Sequence, residues 1–519
     1  MNQKNVRLHG LLKNLLVFTD RRAISMFFLG FSAGLPYFLI FSTLSLWLRE
    51  AGVEKSAVTF FSWAALGYSF KFIWAPLADR LPLPVLWFLG RRRSWLLFSQ
   101  VLIAGSICWM ALIDPSQGQS SLHQMAMAAV LLGFSSATQD IVIDAFRIEL
   151  AEVEMQATLS ATYIAGYRVG MLTSGAGSLF LAAHFGTTVD EYNYESWKWT
   201  YFIMATFMSV GMLTTLLQSE PIHKDEKEAY PTQEYVQFFV LFLLIVGCFI
   251  GTFLLSGDVS EQLKMQFQQV IDNSGFCGFL VGVLRLAFAI GCCFLLAYLL
   301  ARTNALRTDL AVKGYVAPVQ QFFSRFGNKL AFLLLLLVGL YRISDVVLGV
   351  VSNIFYQDLG FSKAEIASVV KTWGLFMSLL GGFVGGVLTN RFGMYQMLLW
   401  GAILASVTNL LFLVLANVGH DVFWLYVVIS ADNLAAGLAS VAFVAFLSGL
   451  TDVSFTAVQY AIFSSVMSLI PKVIGGFSGS MIEIIDYSGF FLATTLMGMP
   501  VIYISWKVKH IFARKNSVF

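Results

Sequence analysis

The chain has 519 residues, of which 58% are hydrophobic types, 15% aromatic and only 12% charged, with a formal net charge of +3. Soluble domains carry roughly a quarter charged residues, so a mean hydropathy of +0.74 excludes a water-soluble globular fold of this length. The five cysteines show neither zinc-ligand nor disulfide spacing, and Cys108, Cys248, Cys277, Cys292 and Cys293 read as small buried apolar residues.

Apolar runs of about 20 residues, each long enough to cross a ~30 Å hydrocarbon core as helix, recur along the whole sequence. They define about 14 spans, near 23–47, 57–78, 94–113, 122–146, 158–184, 198–217, 236–256, 276–301, 330–352, 362–389, 394–416, 421–448, 457–484 and 488–507. None shows the alternation of barrel strands, so the predicted fold class is an all-α polytopic membrane protein. The first run is too long for a signal peptide and reads as a retained helix. With the N-terminus inside, inner segments hold 22 Lys and Arg, among them Arg91 to Arg93, and outer loops hold 5. That bias predicts both termini in the cytoplasm and an even number of spans.

Internal similarity divides the chain. At a constant offset of 300, Ala145, Phe146 and Leu150 pair with Ala445, Phe446 and Leu450, and Ala157, Ala161 and Gly175 with Ala457, Ala461 and Gly475. Ordered matches of this kind predict a duplicated six-helix unit. The expected organisation is a six-helix bundle over 1–217, a linker with two inserted spans over 218–329, and a second six-helix bundle over 330–519. The inserted pair carries little beyond Arg285 and is expected at the periphery. Small residues at four-residue spacing, Gly30/Gly34, Gly166/Gly170, Gly278/Gly282, Gly382/Gly386 and Gly475/Gly479, suit close approach of helix backbones.

A charge inside a bilayer is costly and is by default functional or paired. The spans of the two units contain Lys71, Asp140, Asp144, Arg168, Arg342, Asp345, Lys371, Asp432 and Lys472, with Glu483 near an outer end. Asp140, Asp144 and Arg147 fall at i, i+4 and i+7 on one face of the fourth span. Two carboxylates a turn apart in low dielectric disfavour double ionisation, which suits proton coupling; the alternative is a structural gate in which Asp144 pairs with Arg147 or Arg168. Their counterparts at the offset, Ser440 and Val444, are uncharged, as is Ala439 opposite Gln139. Tyr163 and Tyr167, one turn apart beside Arg168, can stack on a sugar or peptide. Arg342 and Asp345 at i, i+3 read as an internal ion pair or a substrate contact. Lys371 and Lys71 have no evident local acid and are candidates for an anionic substrate group. Asp79 and Arg80, followed by Gly90 and Arg91 to Arg93, form a loop that resembles the Asp-Arg-x-Gly-Arg-Arg loop of the major facilitator superfamily, where the acid latches helix ends. No phosphate-cradling loop, metal-ligand cluster or nucleophile triad appears, so neither an enzyme nor a cofactor is expected.

Longer stretches carry a closer resemblance. They are residues 30–36 (GFSAGLP), 71–80 (KFIWAPLADR), 90–97 (GRRRSWLL), 138–145 (TQDIVIDA) and 166–172 (GYRVGML) with Ser174 and Gly175. In the second half they are Tyr341-Arg342 with Asp345, Lys371-Thr372, residues 442–445 (AFVA) and 457–461 (AVQYA). Together these resemble AmpG-type muropeptide permeases, a branch of the major facilitator superfamily. The resemblance implies proton-driven import of anhydromuropeptides from periplasm to cytoplasm across the bacterial inner membrane, for peptidoglycan recycling and, in some bacteria, β-lactamase induction; a monomer is expected. From the placement of the residues themselves, the expected roles are proton coupling by Asp140 and Asp144, and gating by Asp79, Arg80 and Arg147. Substrate contacts would come from Lys71, Gln139, Tyr163, Tyr167, Arg168, Arg342, Asp345, Lys371 and Gln459. Departures are the inserted pair and the stretched loop after Asp79. Transport of another anionic solute such as acetyl-CoA, and a sensor or scaffold without transport, are the competing readings.

Overall fold

Backbone amides cannot stay unpaired in hydrocarbon, and helices satisfy them within one segment. A computed structural model of the chain follows that rule. It describes residues 17–40, 42–53, 70–80, 86–152, 155–187, 192–221, 274–302, 316–362, 365–475 and 478–516, with Leu83 and parts of 237–269, and among them there is no β-strand. Eleven helices among the described residues are long and apolar enough to cross a membrane. Most of the predicted span 57–78 and nearly half of 236–256 lie outside the described residues, as do Lys55, Lys224, Lys227 and much of both linkers, so the count of fourteen is not tested. The side chains of Arg80, Lys472 and Glu483 also lie outside them.

In chain order, α1 (Arg21–Ile40) runs into α2 (Ser42–Glu50). A single 3-10 turn at Lys71–Ile73 leads to α3 (Ala75–Arg80), and then come α4 (Arg91–Ala111) and α5 (Gln119–Leu150). Next, α6 (Gln156–Leu172) passes through a π-helical turn at Thr173–Gly177 into α7 (Ser178–His184), and α8 (Tyr194–Leu217) follows. Two helices, α9 (Gly257–Gln268) and α10 (Ser274–Arg302), precede α11 (Ala317–Phe326), α12 (Asn328–Leu340) and α13 (Ile343–Asp358). A π-helical segment, Ile366–Trp373, leads into α14 (Gly374–Phe392), then α15 (Met394–Val418) and α16 (Val422–Leu450). The chain ends on α17 (Thr456–Gly475) and α18 (Ser478–Asn516). α18 breaks at Asp486, whose φ of 55° is a left-handed value rarely taken by a non-glycine residue, so the last two predicted spans separate there.

The buried apolar residues fall into three main clusters. One runs from Phe31 to Met208, another, apart from Ile148, from Phe322 to Val508, and the third joins residues 23–159 to Ala457, Val458 and Ala461. α1 and α6 touch backbone to backbone, because Gly30 and Gly34 meet the carbonyls of Tyr163 and Tyr167 while Gly166 and Gly170 meet those of Phe27 and Phe31. α14 and α16 do the same, but through Gly381, Gly385 and Gly437 rather than the predicted Gly382/Gly386. Among the described residues, nothing lies within 4 Å of a Cβ placed on Gly282 of α10. On α10, Leu284, Phe288, Leu295, Tyr298 and Leu299 are exposed, which suits a helix whose outer face meets lipid.

Candidate functional site

The face of α5 predicted from its spacing carries the first charged group. Asp144 accepts two cations: Lys71 Nζ stands 3.7 Å from one carboxylate oxygen and Arg147 Nη2 3.3 Å from the other. All three side chains are buried, with exposures of 7%, 8% and 0% for Lys71, Asp144 and Arg147. Lys71 is therefore not an unpartnered cation, as its sequence neighbourhood had suggested. Its acid comes from another helix, which local spacing cannot show. Of the two partners considered for Asp144, the structure selects Arg147 and leaves Arg168 elsewhere.

Arg147 also reaches the second half of the chain. Its guanidinium lies 5.5 Å from the Tyr163 ring centre and 5.2 Å from that of Tyr460, and Nη2 donates to Ser448 Oγ at 3.3 Å. Cation–π contacts of this kind strengthen where water is excluded. One turn back, Asp140 is buried within electrostatic reach of Lys71, Asp144 and Tyr163. Its Oδ1 and both amide atoms of the fully buried Gln139 have no hydrogen-bond partner among the described residues. Buried polar atoms are normally satisfied, so this stretch of α5 holds unspent hydrogen-bonding capacity. Nearby, Trp74 Nε1 donates to Thr138 Oγ1 at 3.1 Å and fixes the segment after Lys71 against α5.

A second charged group centres on Arg342, in the turn between α12 and α13. It lies 3.8 Å from Asp345 and donates to Ser440 Oγ at 3.2 Å. Asp432 on α16 is in electrostatic reach of both Arg342 and Asp345. Arg168, on α6 after Tyr167, is in electrostatic reach of Tyr37, Tyr167 and Arg342. The Tyr167 ring stands 6.1 Å from Tyr163 and 6.4 Å from Tyr37, so three tyrosines line one side of this region.

Asp79 belongs to a third group, at the helix ends. Its carboxylate is 2.7 Å from Arg92 Nη2, which also lies 2.5 Å from Glu149 and 2.7 Å from Thr456 Oγ1. Thr456 donates in turn to Glu149 at 2.6 Å, and Arg91 adds a bond to the Asp79 carbonyl at 2.8 Å. Arg92 is fully buried although it sits in a basic run that reads as solvated. Glu149 and Thr456 escaped the sequence reading; Glu149 follows Arg147 by two residues, and that was the available signal. Outside the spans, Glu220 accepts the Arg92 and Arg93 amides at 2.7 and 3.1 Å and so caps the start of α4. Burial pushes its carboxyl above the ordinary value, against the pull of those amides.

Two predicted contacts fall elsewhere. Gln459 spends its amide on Pro318 at 2.9 Å, Gln321 at 2.8 Å and the Asp452 amide at 2.7 Å. It ties α11 to the start of α17 instead of joining the charged groups. Lys371 sits on the π-helical segment before α14 and is exposed, not enclosed with Arg342. Among the described residues no cluster of His, Cys, Asp and Glu could hold a metal ion.

A family model for the Major Facilitator Superfamily matches residues 26–341. Over 488 residues, 94% of this chain and 96% of the relative, the sequence is 30% identical to the putative transporter AmpG 4 of Rickettsia conorii. It is 27% identical over 487 residues to the anhydromuropeptide permease of Escherichia coli K12, covering 94% of this chain and 79% of that one. Among solved structures, the proton:xylose symporter XylE bound to 6-bromo-6-deoxy-D-glucose superposes with a TM-score of 0.59 at 13% identity, over 95% of this chain and 96% of that one, a likeness of fold.

Proposed function

The chain belongs to the Major Facilitator Superfamily as an AmpG-type permease and is a multi-pass membrane transporter, and from that premise we propose that it imports anhydromuropeptides by proton symport. The cargo moves from periplasm to cytoplasm across a bacterial inner membrane, for peptidoglycan recycling. In this reading both termini are cytoplasmic, the protein works as a monomer, and residues 1–217 and 330–519 are the two rocking units. The observation that carries the coupling is that Asp144 holds Lys71 and Arg147 together while Arg147 also bonds Ser448. A proton arriving on Asp140 or Asp144 removes negative charge from this group. Lys71 and Arg147 then lose part of what holds them, and the contact of Arg147 with Ser448 and Tyr460 weakens. Protonation of α5 is thereby linked to separation of the two units, which is what symport requires. The sugar and peptide of the cargo suit the face formed by Tyr37, Tyr163 and Tyr167, where rings stack and hydroxyls bond.

The test is uptake of labelled anhydromuropeptide into inverted and right-side-out vesicles, with and without an imposed proton gradient. Accumulation in right-side-out vesicles that collapses with the gradient supports the reading. Uptake indifferent to the gradient removes proton coupling. No uptake of this cargo, with gradient-driven uptake of acetyl-CoA, favours the other anionic solute. A scaffold without transport predicts neither, and the charges buried between the two parts of the chain speak against it.

A further inference from the structure

Lys71 reaches Asp144 from a stretch of backbone that does not by itself fix its direction. It opens the single 3-10 turn Lys71–Ile73, between Phe70 and Trp74, whose φ/ψ values of −110°/9° and −108°/0° are not those of an α-helix. In a regular helix the ladder of intrahelical bonds sets where a side chain points; in an isolated turn the packing of its neighbours must do so. On one side Trp74 is held by α5: its ring centre lies 4.8 Å from that of Phe134, and its Nε1 bonds Thr138. On the other side the buried Phe70 packs on Phe249, with ring centres 5.8 Å apart and planes inclined by 48°. Phe249 belongs to the first inserted span. That span is tied to α10, because Cys293 Sγ donates to the Ile245 carbonyl at 3.5 Å, one turn before Phe249. One edge of the insertion therefore reaches the turn that carries Lys71, while Phe288 of α10, 61% exposed, is turned outward.

The Lys71–Asp144 pair has little slack. Charge-assisted N–H···O bonds measure about 2.7–2.9 Å, and Lys71 Nζ already stands 3.7 Å from the carboxylate. A shift of the turn by about 1 Å therefore decides between contact and separation. Phe70 is the residue next to Lys71, and a buried aromatic pair resists sliding because both rings lose contact area and their preferred mutual orientation. We propose that Phe249 is a positioning residue for Lys71: its ring backs Phe70 and so holds the 3-10 turn where Lys71 engages Asp144. The inserted helices then act on the charged group of α5 from outside the two six-helix units. The consequence for transport rests on the proton-coupling reading above; the positioning of Lys71 does not.

The first arm of the experiment needs no cargo. It reads melting temperatures of the purified full-length protein in detergent, in a double-mutant cycle of Phe249→Ala and Lys71→Met. Lys71→Met removes the cation while Asp144 keeps Arg147. Phe249→Ala should cost roughly 2 °C less in the Lys71→Met background than in the unsubstituted protein, because residues that act through one another are not additive. Additive losses mean that the ring only fills space, and overturn the proposal. If Phe249→Ala does not fold, Phe249→Val takes its place in the same cycle. The second arm reads gradient-driven accumulation and exchange of labelled anhydromuropeptide in proteoliposomes. Phe249→Ala should cut accumulation about 3- to 10-fold, within what a displacement near 1 Å costs, and leave exchange intact. Phe249→Leu, which still backs Phe70, should restore accumulation, and Phe288→Ala should change neither quantity. Equal loss of accumulation and exchange, no rescue by leucine, or a like loss in Phe288→Ala overturns the proposal. Non-additive melting in a protein that accumulates no muropeptide keeps the positioning role and removes the cargo reading instead.

Discussion

Asp144 serves two cations from within a helix, and that double use sets what its removal does. Asp144→Asn leaves Lys71 and Arg147 buried without a counter-charge, and breaking a buried pair costs on the order of 3–5 kcal/mol. It should lower thermal stability and abolish gradient-driven accumulation together. Asp140→Asn breaks no ion pair, so it should leave the melting temperature nearly unchanged, abolish accumulation and spare cargo exchange. Melting curves and counterflow in proteoliposomes check both; uphill uptake with unaltered pH dependence in the two variants would show that neither acid couples. A second comparison sets Lys371 against Arg285. Arg285 donates to Ser256 at 3.1 Å within the inserted region, whereas Lys371 lies on a π-helical turn of the kind often found at working sites. Lys371→Ala should reduce initial uptake several-fold more than Arg285→Ala at equal expression, and equal losses would remove Lys371 from the cargo path. The face shared by Asp140, Asp144 and Arg147 was legible because helical period alone places them. The partner of Lys71 was not, because it depends on how one span packs against another. Gln459 misled for a related reason: a polar residue near a helix start is as easily spent on capping and linker contacts as on a ligand.

Close helix packing shows where a short motif is informative and where it is not. The same four-residue glycine spacing occurs in α1, α6 and α10, yet among the described residues only the glycines of the first two press backbone on backbone. A Cβ on Gly166 would overlap the Phe27 carbonyl, whereas one on Gly282 meets nothing within 4 Å. Overpacking a core contact costs roughly 1–3 kcal/mol and more when backbone must move. Gly166→Val should therefore sharply cut the yield of folded protein on size exclusion, and Gly282→Val should leave it within error. Comparable yields from the two would mean that the α1–α6 contact is not limiting for folding. The helices themselves were legible because apolar runs of about 20 residues admit no other spanning structure. The break at Asp486 was foreseen only as a gap between spans; its left-handed backbone has no sequence signal, since glycine and not aspartate is the usual occupant.

At the scale of the molecule, one end is held shut by contacts between early and late parts of the chain. Arg92 bonds Thr456, Arg147 bonds Ser448, and Asn390 donates to Thr158 Oγ1 at 2.8 Å. All lie at the end that carries Arg91 to Arg93, which is the cytoplasmic end in the proposed orientation. Thr456 is the informative member because its hydroxyl both accepts from Arg92 and donates to Glu149, two partners that also hold each other. Thr456→Val keeps the shape of the side chain and removes both bonds. The Asp79–Arg92–Glu149 group remains paired, so the first part of the chain should stay folded while closure loses its hydrogen-bonded link. At about 1–3 kcal/mol for bonds to charged groups, the closed population should fall roughly fivefold or more relative to the open one. The readout is a short bismaleimide cross-link between Thr158→Cys and Asn390→Cys, in a protein whose five native cysteines are replaced by serine. Cross-linking should slow by that factor in Thr456→Val, and cytoplasm-side labelling of a single cysteine at Ser448 should rise. Steady accumulation should fall while binding at equilibrium persists, because the protein leaks cargo through an end that no longer seals. Unchanged cross-linking with intact uptake would mean that this end closes on its apolar contacts, among them Ala457, Val458 and Ala461 against the first part of the chain, and that the charged latch only orients the helices of its own side.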